Sequence, residues 1–164
     1  MQKTDAQKPS KIASSNRKKM CARLMAVQAV YEAVHNGEPF ENVLRDYLDN
    51  RVGMEIAGQK IGEPDRELFL SVARTVQSRR TEIGRLIEAN IPAKQSSQDQ
   101  PRKEVEPLLN AVLLCGIGEL LQHSDIDAPL VINDYIEVTR AFYEKGEVSL
   151  VNGVLDSVAR ILRP

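Results

Sequence analysis

From Val105 to Leu121, the side chains of Val105, Leu108, Leu109, Val112, Leu113, Ile117, Leu120 and Leu121 fall on one stripe of helical period, with few charges around it. A helix that apolar on most sides belongs in the middle of a fold, covered by other helices. Gly116 and Gly118 interrupt it. Each glycine costs about 1 kcal/mol relative to alanine inside a helix, so a neighbouring helix is expected to pass close at both positions. The stripe is shorter than the ~20 apolar residues of a membrane span.

The same period recurs along the chain. Leu24, Val27, Tyr31 and Val34 share a face from about Arg17 to Asn36, with Met20 a turn earlier, Ser15 or Asn16 as the cap and Asn36-Gly37 as the stop. After Pro39, residues Phe40, Val43, Leu44, Tyr47 and Leu48 form a second amphipathic face. Residues 51–63, with Gly53, Gly58 and Gly62, read as a loop. Pro64-Asp65 restarts a helix through Leu68, Phe69, Val72 and Val76; a polar break at Gln77–Arg80 follows, then a new start at Thr81 leads through Ile83, Leu86, Ile87 and Ile91. Beyond the central stripe, Asp125–Pro129 is a turn. Ile132, Ile136 and Phe142 mark a helix ended by Lys145-Gly146, and the last helix runs from about Val148 to Leu162.

No segment alternates with period two. The expected fold is therefore all-α, a compact bundle of about seven helices in two subdomains of three to four each. The subdomains span about 16–91 and 104–164, joined by a polar surface loop at 92–103. Residues 1–15 are expected to form a disordered basic tail.

The net charge of −1 conceals an asymmetry. Residues 1–23 hold seven basic side chains against Asp5 alone, and the remainder holds fifteen basic against twenty-two acidic. A basic arm on an acidic body suits nucleic acid, and equally suits a solvated tail. Cys21 and Cys115 stand apart from each other and from any ligand cluster, so they read as free thiols; His35 and His123 read as ordinary residues near helix ends. There is no phosphate-cradling loop, HExxH or GxSxG. No enzyme, metal or cofactor is expected. No apolar stretch follows the charged N-terminus, so the cytoplasm is the expected compartment.

Three segments together resemble the NusB transcription-antitermination family: Ala22-Arg23 through Ala26-Val27-Gln28-Ala29-Val30-Tyr31, after basic residues; Leu113 to Leu120 with Glu119, followed by Pro129-Leu130-Val131-Ile132-Asn133-Asp134; and Leu150-Val151-Asn152-Gly153-Val154-Leu155-Asp156. The third is the most specific, similar to the family's closing Phe-Val-Asn-Gly-Val-Leu-Asp. The resemblance spans about residues 17–164. It departs at Leu150, where the family has an aromatic, at Leu114 (arginine), Gly118 (tyrosine) and Thr75 (glycine), and at Met20 and Cys21, where the family is often basic.

The resemblance implies an antitermination factor that binds the boxA element of nascent ribosomal RNA together with the ribosomal protein NusE, within an RNA polymerase complex. Carried over, Arg17, Lys18, Lys19 and Arg23 would meet RNA phosphates. Leu150 would occupy the place of an RNA-contacting aromatic, and Glu119 would face the protein partner or simply end a buried helix at the surface. Tyr31 fits the RNA or partner surface and the core equally well. Asn133, Asn152 and Gly153 are expected to be structural: Gly153 to admit a close helix, the asparagines to satisfy neighbouring helix ends. Some relatives self-associate, so the resemblance leaves both a monomer and a homodimer open. The alternatives are a NusB-like protein-interaction module with little sequence-specific RNA binding and, third, the substrate-binding domain of an RNA methyltransferase.

Overall fold

The computed structural model describes residues 11–92 and 105–164, with side chains from Ser14 onward. Among these are six helices and one two-stranded hairpin: α1 (Lys11–Asn36), α2 (Phe40–Asn50), β1 (Glu55–Ile56), β2 (Gln59–Lys60), α3 (Arg66–Asn90), α4 (Pro107–Gln122), α5 (Ala128–Phe142) and α6 (Lys145–Leu162). The expected tail over residues 1–10 and most of the expected loop at 92–103 lie outside the described residues.

The apolar stripe of the second half forms α4, and from Ala111 to Leu120 every residue is buried. It packs against α1, α3, α5 and α6, while α1 also packs against α2, α3 and α5. The core side chains on either side of residues 93–104 consequently form one cluster. The two glycines have the expected reason. A Cβ at Gly116 would lie 3.1 Å from both Leu155 methyls, and one at Gly118 would lie 3.3 Å from a Val76 methyl. Side chains of α6 and α3 thus occupy the space a Cβ would need, at distances tighter than most Cβ contacts.

Several boundaries differ from expectation. α1 begins at Lys11 rather than near Arg17, so neither Ser15 nor Asn16 caps it. Its buried middle, Cys21–Val27, anchors a helix that no glycine or proline interrupts before Asn36. The two helices expected on either side of Gln77–Arg80 are one, α3, kinked at Arg79 (φ −118°, ψ 21°), which brings seven helices to six. Asp65 caps α3 by accepting from the Leu68 N–H at 3.0 Å. Lys145-Gly146 opens α6 instead of closing α5. The expected loop at 51–63 contains the hairpin, with Glu55 opposite Lys60 and Ile56 opposite Gln59. Ala57 (φ 50°) and Gly58 (φ 78°) make its two-residue turn, the left-handed pair that suits the twist of a tight hairpin. Two-residue strands carry too little alternation to register as sequence pattern. At the far end of α6, the Arg163 guanidinium donates to the Leu120, His123 and Ile126 carbonyls, closing the C-terminus of α4.

Candidate nucleic-acid interface

The basic residues of α1 divide by helical phase. Arg17 and Lys18 are exposed and Lys19 is half-buried. The backbone here is held in place: the Asp65 N–H donates to the Lys18 carbonyl at 2.9 Å, tying the start of α3 to this turn. Arg23 lies one turn beyond Lys19 and points inward, only 6% exposed. Its Nε donates to both Glu119 oxygens at 3.2 and 3.0 Å, and its Nη2 donates to Oε1 at 2.6 Å. Nη2 also lies 3.3 Å from an Asp134 oxygen.

This triad corrects two expectations. Arg23 is not presented to RNA phosphates, because its guanidinium is spent inside the fold. Glu119 neither faces a protein partner nor ends at the surface: it is 1% exposed on α4 and neutralised by Arg23. Burial opposes the Arg23 charge, but the hydrogen bond and charge of Glu119 more than offset it, leaving the guanidinium above its ordinary pKa. Asp134, at the rim, is raised chiefly by desolvation and by the nearby Glu119, against the pull of Arg23 and Lys19. Burial, with the Glu119 charge beside it, also raises the adjacent Tyr135 phenol. The sequence reading missed Asp134 as a partner of Arg23, because nothing in linear spacing links α1 to α5.

The asparagines and Gly153 are corrected in the opposite direction. Asn133 on α5 and Asn152 and Gly153 on α6 are all exposed. A Cβ at Gly153 would meet nothing within 4 Å, so no helix among the described residues packs against it. Tyr135 and Leu155 both reach Gly116, which sets the exposed faces of α5 and α6 at neighbouring levels. Leu150 is half-buried against the core, just before Asn152. Tyr31 is half-buried and stacks on His35 (centroids 5.2 Å apart, planes 9° apart). It lies twelve residues beyond Lys19, about 18 Å along the axis, so it does not share a patch with the basic turn.

Among the described residues no group of three or more His, Cys, Asp or Glu is arranged to hold a metal, and no helix is long and apolar enough to cross a membrane. Cys21 and Cys115 are free and buried.

The sequence profile of the NusB family matches residues 20–160. The chain belongs to the NusB family. Similar relatives include the transcription antitermination protein NusB of Caulobacter vibrioides, 31% identical over 142 residues covering 87% of this chain and 92% of the relative. The protein of the same name from Nitrobacter hamburgensis is 34% identical, covering 87% and 86%. A solved structure of Thermotoga maritima NusB superposes with a TM-score of 0.65 at 20% identity, over 86% of this chain and 89% of that one, which establishes the shared fold. Within this family the departures at Leu114 and Gly118 are core positions here and bear on packing rather than on ligand contact. Membership accords with a non-enzymatic protein.

Proposed function

We propose that this protein is a cytoplasmic RNA-binding transcription antitermination factor that takes boxA-type RNA together with the ribosomal protein NusE in the RNA polymerase antitermination complex. The observation that carries the reading is Gly153. It is a glycine inside a helix, exposed, with open space over its Cα and no packing reason for its cost. An outside ligand that comes up against the helix backbone supplies the reason. The exposed Asn152 beside it and Asn133 on α5 offer hydrogen bonds to base edges, and Arg17, Lys18 and the half-buried Lys19 offer charge to phosphates.

The test is fluorescence anisotropy of labelled boxA RNA and a scrambled control, titrated with this protein alone and with NusE. Selective binding that tightens with NusE is expected. Lys18→Glu with Lys19→Glu should weaken binding and lower its salt slope by about 1.4, two contacts at about 0.7 each for a single strand. An unchanged slope sinks the reading. The second reading, a protein-interaction module, is favoured by Leu150, which leaves no aromatic platform before Asn152. It requires equal binding of boxA and scrambled RNA.

A further inference from the structure

Outside its first 23 residues the chain is acidic, yet from Gln77 to Leu86 three arginines stand against one carboxylate. They gather where α3 kinks, in an open groove of about 630 Å³ lined by Arg79, Arg80 and Arg85 with Leu86 and Leu162 among the apolar lining. The one acid, Glu82, is already neutralised: Arg79 donates to its two oxygens at 2.9 and 2.8 Å. Arg80 and Arg85 are exposed, and neither forms an ion pair among the described residues. Among the described residues their guanidiniums make no hydrogen bond or ion pair within the fold.

We infer that this groove is a second binding site, for the phosphodiester backbone of single-stranded RNA lying outside the boxA element. The inference rests on the RNA-binding reading above. Paired guanidiniums over an apolar strip match a strand that presents phosphate on one side and ribose and base faces on the other. The groove is remote from the basic turn of α1. α3 starts beside Lys18, and Arg80 lies fifteen residues past Asp65, about 22 Å along the helix. Leu162, in the groove, lies nine residues past Gly153, about 14 Å along α6, so nucleotides flanking a strand engaged at α1, α5 and α6 can continue along α6 into it.

The experiment compares a minimal boxA RNA with the same RNA carrying a single-stranded flank on either side. Wild type is expected to bind the flanked RNA more tightly. Arg80→Glu with Arg85→Glu should abolish that gain, about tenfold at moderate salt, and lower the salt slope for flanked RNA by about 1.4. Binding of the minimal RNA should be unchanged by the reversal, which also serves as the check that the variant is folded. Arg80→Lys with Arg85→Lys should keep the slope. The inference is overturned if the reversed variant binds flanked RNA as wild type does, or if the flank adds nothing in wild type. It is equally overturned if the reversal weakens minimal and flanked RNA alike. A failure of wild type to prefer minimal boxA over scrambled RNA sinks the antitermination reading instead, and is read from a different pair of curves.

Discussion

Glu119→Gln isolates the Arg23 triad with the smallest change of shape. The substitution keeps the volume and an acceptor oxygen but leaves Arg23, at 6% exposure, without its neutralising charge. Asp134 offers only a single contact at 3.3 Å, from a side chain 37% exposed. Removing one partner of a buried pair costs about 3–5 kcal/mol, because the survivor stays buried and unpaired. For a chain of this size, each kcal/mol shifts Tm by about 2–4 °C, so a fall of about 10 °C is expected by calorimetry or circular dichroism. Replacing both partners with apolar side chains, Arg23→Met with Glu119→Leu, should recover most of that loss. The folded double variant should also retain the wild-type salt slope for boxA RNA, since Arg23 contacts no phosphate. A Glu119→Gln Tm within about 2 °C of wild type would refute the assignment of a buried, mutually dependent pair. A double variant as unstable as the single one would refute it too.

Four further outcomes are expected. Gly153→Ala should raise stability by about 1 kcal/mol, since alanine meets nothing there, yet weaken RNA binding; Gly116→Ala should fall short of that gain, because its Cβ lands 3.1 Å from the Leu155 methyls, which must move to admit it. Paired thermal melts and anisotropy titrations check both. Leu150→Phe restores an aromatic before Asn152 and should tighten boxA RNA by about fivefold, near the low end of a stacking contribution; no change would mean that position 150 is not at the RNA. Asp134 has its folded pKa raised, so its contribution to stability is present at low pH and lost as pH rises through the raised value. Asp134→Asn should therefore gain stability relative to wild type at neutral pH and show a smaller difference at pH near 4, read from urea midpoints.

The central helix, the face of α2 and the reason for Gly116 and Gly118 were legible in the sequence, because burial imposes a period and a glycine inside an apolar stripe has few explanations. Helix ends were less legible. α1 starts earlier than its apolar face does, since the tertiary contacts of Cys21–Val27 support polar turns that have no signal of their own. The site was legible in part. Arg17 and Lys18 are exposed as their composition suggests. Arg23 and Glu119 were read as surface residues because charge normally is, and only three-dimensional packing reveals two charges buried against each other. Asn152 and Gly153 were read as packing residues because poor helix formers beside apolar ones usually are; their phase on α6 turns them to solvent instead.

The alanines of α1, at positions 22, 26, 29 and 33, make a smooth buried ridge. A shift by one turn, about 5.4 Å, would exchange alanine for alanine along this ridge, while displacing the buried Leu24, Met25, Val27 and Val30 between them. The Arg23–Glu119 pair forbids the slip, because any other register leaves a guanidinium and a carboxylate stranded in the core. Its contribution is then less to the depth of the native energy minimum than to its uniqueness. It acts as an index pin between α1 and α4, and so determines where along the surface of α5 the basic turn of α1 comes to rest.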